Sequence, residues 1–172
     1  MTPLPMTPST FLESAVIPAL NLLPSKMNSP EAQVMLVSIA QQESGLKTRT
    51  QYNGGPARGL LQFELGTQAS KGGVWGIYLH PASRYWLNSL CQDRGVQFDP
   101  VAIYNTLATD DILAAGLGRL ALFVDPKPLP ALSDKVGSWA LYQRVWRPGQ
   151  PRPDTWPDYY SAAVSAVEAV AA

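Results

Sequence analysis

The sequence predicts a single, mainly helical domain with a small irregular or β element placed after its second helix. Three observations lead there. Several segments carry apolar residues at three- and four-residue spacing between recognisable helix starts and stops. The run 47–66, "KTRTQYNGGPARGLLQFELG", breaks that pattern with short polar stretches and turn-forming residues. No linker long enough to divide the 172 residues is visible, and a chain of this length can bury one real core. The expected domain is 1–172.

In chain order, "TFLE" at 10–13 reads as a capping box, with Thr10 and Glu13 bonding reciprocally. The helix it opens carries Phe11, Leu12, Ala15, Val16 and Ala19, and proline chemistry predicts a bend or stop at Pro18. "NSPE" at 28–31 is a second start, with Asn28 or Ser29 as cap and Pro30 in the first turn. Ala32, Met35, Leu36, Ile39 and Ala40 then mark one face, and Gly45 is the stop. Across 67–108 the signals are sparse. "SKGGVWG" reads as a loop, and "ASRYWLNSLCQDRG" as a helix closed by Gly95. In "TDDILAAGLGRLALFVDP", Thr109 is the expected cap, Asp110 and Asp111 favour the N-terminus, and Pro126 ends the helix. "LSDKVGSWALYQRVW" predicts another helix, "RPGQPRPDTWP" an irregular segment, and 157–170 an Ala-rich final helix.

Composition excludes several classes of function. Charged residues make up only 15 % and sum to zero, so the clustered Lys and Arg that neutralise phosphates are missing and no nucleic-acid partner is expected. Cys91 is the sole cysteine and reads as a small buried hydrophobe. His80 is the sole histidine. With no second His or Cys for a ligand set, neither a metal nor another cofactor is expected. No phosphate-binding glycine loop or Ser-His-Asp pattern stands out. The first Lys or Arg is Lys26, and Pro18 and Pro24 interrupt the apolar start. No secretory signal or membrane span is therefore predicted, and synthesis in the cytoplasm is expected. Nothing predicts an oligomer, and a monomer is expected.

One residue departs from ordinary patterning. Glu43 in "SIAQQESGLK" lies four after Ile39, so it projects from the apolar face of its helix. It also occupies the last turn, where the helix dipole disfavours negative charge. Desolvation and dipole both raise a carboxyl's pKa, and a carboxyl protonated near neutral pH is what a general acid needs. Two structural explanations compete: a frayed end that lets the side chain reach water, and a buried glutamate bonded to backbone amides.

"QQESGL" followed by "GPARGLLQF" resembles the lytic transglycosylase and goose-type lysozyme family, in which an "ES" glutamate ends a helix and a "GLMQ"-like segment follows. "DDILAAGLGRLALF" resembles the family's "NI-x-x-G-x-x-Y-L" helix, and "WALYQRVWRPG" sits where the family has "A-x-YN-x-G", with Tyr142 as the matching tyrosine. The resemblance spans 28–149. It departs at Gln143, which stands for the asparagine, and at the late Gly149. "YNTLATDD" holds a literal YN but precedes the "DDIL" helix and is read as coincidence.

The resemblance implies a lysozyme-like α+β arrangement and cleavage of the β-1,4 bond between N-acetylmuramic acid and N-acetylglucosamine in peptidoglycan. It implies Glu43 as the acid, which in a transglycosylase also takes the proton of the muramyl 6-hydroxyl as a 1,6-anhydro ring closes. Glu64 follows the "GLLQF" segment and is the candidate second carboxylate of a hydrolase. On a strand, Leu60, Gln62 and Glu64 would share one side; the plain alternative is a solvent-facing charge. Gln62 and Tyr142 are expected to contact sugar or Glu43. Ser44 is a substrate-binding candidate as well as a backbone cap. Tyr52, Trp75, Tyr78, Trp146 and Trp156 are candidate sugar platforms that core packing explains equally, and "WRPGQPRPDTW" is expected to border the cleft. The expected partner is the peptidoglycan strand, reached after holin-type release of a phage endolysin or from a phage particle. The alternatives are an inactive glycan-binding virion component of the same fold, a lysozyme using Glu43 with Glu64, and a chitinase-like enzyme.

Overall fold

The computed structural model describes residues 1–172. Helices hold 60 % of the residues and extended structure 2 %, so the domain is mainly α. The β element expected after the long helix amounts to two isolated bridges, Thr50 with Arg58 and Arg58 with Phe63.

The chain enters through α1 (Pro8–Phe11), a π-helical turn (Leu12–Val16) and α2 (Ile17–Asn21). Here two expectations need correction. The cap is Thr7, whose hydroxyl accepts from the Thr10 N–H at 3.1 Å, and not a Thr10–Glu13 box. Nor does Pro18 end the helix. A proline ring crowds the carbonyl four residues back and offers no N–H to it. The π turn accommodates this by widening the spiral, with the Ile17 N–H donating to the Leu12 carbonyl.

α3 (Pro30–Ser44) follows the signals closely. Ser29 caps it through the Ala32 N–H at 3.1 Å, and Gly45 ends it at φ 61°. That left-handed conformation carries little penalty without a Cβ. Every residue from Val34 to Gln42 is buried, so α3 is a central helix and not an amphipathic surface one. Only such a position lets the polar Gln41 and Gln42 be fully enclosed, and both have partners. Gln41 Nε2 donates to the Tyr159 carbonyl at 2.9 Å.

Beyond the irregular 47–72 segment lie α4 (Gly73–Leu79), α5 (Pro81–Arg94) and α6 (Pro100–Thr106). α4 corrects the loop expected at "SKGGVWG". Its short length and two glycines hide it from periodicity, while Val74 N–H to Glu64 O at 3.0 Å and Trp75 N–H to Leu65 O at 3.1 Å anchor its first turn. His80 Nδ1 accepts from the Ala82 N–H at 3.1 Å and so caps α5. Cys91 is fully buried on that helix, as its composition reading anticipates.

α7 (Asp111–Phe123) packs against α5, α2 and α3. Its cap is Asp110, one residue later than expected: Oδ1 accepts from the Leu113 N–H at 2.9 Å. Gly118 allows the close approach to α3, because a Cβ there would lie 2.8 Å from Leu61 Cδ1 and 2.9 Å from Leu36 Cδ2. α8 (Lys135–Trp146), capped by Asp134, and α9 (Trp156–Ala171) complete the domain, with α9 laid along α3. One continuous apolar cluster joins all these helices. No helix is long and apolar enough to cross a membrane.

Candidate active site

The last turn of α3, the second half of α8 and the segment 152–155 meet around Glu43, and the turn at 58–63 is bonded to the end of α8. Glu43 is half-buried, and Tyr142 Oη donates to its Oε1 at 2.5 Å. The two residues are 99 positions apart. Burial pushes the Glu43 carboxyl above the ordinary carboxylate range; the Tyr142 hydroxyl and the Arg152 charge pull the other way but do not cancel it. Tyr142 is itself raised, by burial first and then by the neighbouring carboxylate. The raised value keeps the hydroxyl a donor to the carboxylate.

The tyrosine ring is held in an aromatic stack. It lies 5.0 Å from the Trp156 ring at 17°, and 5.2 Å from Trp139. Trp156 Nε1 donates to Ser138 Oγ at 3.0 Å, which fixes the stack to α8. With only 2 % of its surface exposed, Trp156 cannot offer a face to a sugar, which corrects its reading as a platform. Trp75 and Tyr78 pack on each other, and Tyr78 also stacks against Phe98. Tyr52 differs, being 68 % exposed on the 52–54 turn.

Trp146 Nε1 donates to the Leu61 carbonyl at 3.0 Å, and its ring meets Phe63 at 5.4 Å. The "GLLQF" segment and α8 are thereby joined beside Glu43's own helix. Residues 59–62 form a turn, not a strand, and both Leu60 and Leu61 are buried. The expected alternation therefore fails, because a turn has no two-residue period. Gln62 sits at φ 53°, and its Nε2 donates to the Gly59 carbonyl at 2.8 Å; it makes no bond to Glu43. Glu64 is exposed, as the reading of a solvent-facing charge expects. Of the two readings of Ser44, the structure shows the backbone cap. Its hydroxyl donates to the Ala40 carbonyl at 2.9 Å and accepts from the Leu46 N–H at 3.2 Å, and the residue is buried.

Two arrangements escape sequence reasoning. Arg49 Nε and Nη2 grip Asp111 Oδ1 and Oδ2 at 2.8 and 2.7 Å, both side chains being 9 % exposed. This pair ties the chain just beyond the candidate acid to the start of α7. The other is a clasp on Gln42: Arg152 Nη2 donates to its carbonyl at 2.6 Å, Gln42 Nε2 to the Arg152 carbonyl at 2.9 Å, and Thr155 Oγ1 to Gln42 Oε1 at 2.8 Å. The tryptophan- and proline-rich composition of 146–156 was the available signal for the second.

Two surface hollows, of about 380 and 330 Å3, lie away from Glu43, one beside Leu20 and Asn28, the other between Lys127 and Arg144. Comparison with protein-family models, with curated proteins and with solved structures finds no match for this chain, so its function is read from the residues themselves.

Proposed function

We propose that this protein is a peptidoglycan-cleaving muramidase of lysozyme-like fold, acting as a lytic transglycosylase on the bond between N-acetylmuramic acid and N-acetylglucosamine. One observation carries the reading: a half-buried carboxyl with a raised pKa ends the central helix and takes a hydrogen bond from Tyr142, the tyrosine that the resemblance expects to contact either sugar or Glu43. Such a group holds a proton to a higher pH than a free glutamate, as an acid that protonates a glycosidic oxygen requires. Glu43 delivers that proton to the leaving sugar. It then accepts the proton of the muramyl 6-hydroxyl while that oxygen closes on the anomeric carbon. Tyr142 holds the carboxyl through both steps. The protein reaches the wall from a phage particle or after holin-type release.

A second reading is a glycan-binding component of the same fold that does not turn over. Mass spectrometry of muropeptides released from purified sacculi separates the two. The expected result is anhydro-muramyl ends from wild type and none from Glu43→Gln. Reducing ends would point to hydrolysis, and sacculus binding without release would establish the second reading in place of the first.

A further inference from the structure

Five consecutive residues, "RPDTW" at 152–156, touch both neighbours that support Glu43. On one side, Arg152 and Thr155 clasp Gln42 with three hydrogen bonds of 2.6 to 2.9 Å that span more than a hundred residues of chain. On the other, Trp156 stacks on the ring of Tyr142, whose hydroxyl donates to the Glu43 carboxyl.

The chemistry of the helix end explains why such a clasp is useful. The last four carbonyls of a helix lack an N–H partner within it and carry the negative end of its dipole. Gln42 O is one of these, and Arg152 supplies both a donor and a positive charge. The next residue along the helix is Glu43. Gln42 cannot turn without rotating the peptide that carries Glu43, and its side-chain amide is held at both ends: Nε2 by the Arg152 carbonyl, Oε1 by Thr155. Arg152 is exposed, so its guanidinium is not required to fill the core.

We infer that residues 152–156 form a positioning segment for Glu43, with Arg152 as its principal member: clasping Gln42 fixes the end of α3 beside Glu43, and Trp156 backs the Tyr142 that bonds it. Arg152 does not touch the reacting atoms; it acts through Gln42 and through its field. Tyr142 from α8 and Arg152 from this segment both lower the Glu43 pKa, against the burial that raises it. Removing Arg152 leaves burial less opposed, and the carboxyl then holds its proton to higher pH. The inference rests on Glu43 being the acid of the proposed reaction, yet its test does not depend on turnover.

The test follows the Glu43 side-chain carboxyl by carbon-detected NMR titration in wild type, Arg152→Gln, Arg152→Lys and, as a control, the exposed Arg147→Gln. The expected result is an upward move of the Glu43 midpoint in Arg152→Gln, partial or full return in Arg152→Lys, and no move in the control. A merely structural arginine would alter melting without moving that midpoint. A midpoint unchanged in Arg152→Gln would overturn the inference, as would an equal move in Arg147→Gln. Muropeptide release by wild type is scored separately. Its absence sinks the proposed cleavage while the titration still decides the role of Arg152. Where cleavage occurs, the alkaline limb of its pH profile is expected to move up together with the midpoint in Arg152→Gln, and a limb that stays in place would count against the segment as a positioning device.

Discussion

Replacing Tyr142 with Phe deletes one oxygen and leaves the stack on Trp156 in place, so the change isolates the hydrogen bond to Glu43. A hydrogen bond to a charged partner contributes about 1.5–3 kcal/mol, a neutral one about 0.5–1.5 kcal/mol. At a pH where Glu43 is ionised, the variant should therefore lose about 2 kcal/mol. For a domain of this size that lowers Tm by about 4–8 °C. The loss should shrink at acid pH and in a Glu43→Gln background, where the acceptor is uncharged. The sign of the wider pH dependence follows from burial. Because the folded pKa of Glu43 lies above 4.5, the folded state binds the proton more tightly than the unfolded state does. The associated stability is present below 4.5 and is lost as pH rises through the folded pKa. Glu43→Gln escapes that loss, so its stability relative to wild type should improve as pH rises through this window. Tyr142→Phe removes a group that lowers the pKa, so the window should extend further upward. Urea and thermal melts of the four proteins of this double-mutant cycle, at pH 4 and pH 8, read all of these quantities. A Tyr142→Phe deficit equal at both pH values, or equal in both Glu43 backgrounds, would refute the coupling.

Two further substitutions probe how the site is held. Asp111→Ala leaves the nearly buried Arg49 with only the Thr2 carbonyl, at 2.6 Å, in place of a two-pronged carboxylate; an unpaired buried charge of this kind costs about 3–5 kcal/mol. Replacing Arg49 and Asp111 together with apolar residues of similar volume should recover most of it, and denaturant melts of the three proteins check both statements. Gly118→Ala forces a methyl against Leu36 and Leu61, an overpacking cost of about 1–3 kcal/mol. Because Leu61 also accepts from Trp146, the strain should register as a change in Trp fluorescence alongside the lower melting point; an unchanged Tm would show that the two leucines yield freely.

Much of the fold was legible because its signals are local. A helix cap involves residues within three positions of one another, so Ser29, Gly45 and Gly95 mark real boundaries. Thr7 and Asp110 show the limit of such reading: several adjacent residues can cap, and packing of the helix body selects one. The π turn before Pro18 and the short helices α4 and α6 leave no clear period to read.

For the site, sequence alone determined that a carboxylate occupies the last turn of an apolar helix, and the resemblance led to the expectation that Tyr142 contacts sugar or that carboxylate. Tertiary structure decided the rest. It enclosed α3 on every side, so the apolar stripe that singled out Glu43 is part of a wholly buried surface. It turned 59–62 into a tight corner in place of a strand, and it engaged Ser44 as a backbone cap. Arg49 met Asp111 across 62 positions and Arg152 met Gln42 across 110. Those pairings depend on where rigid helices come to rest against one another. No periodicity or neighbouring residue in the chain encodes that resting place; the packing of the whole core does.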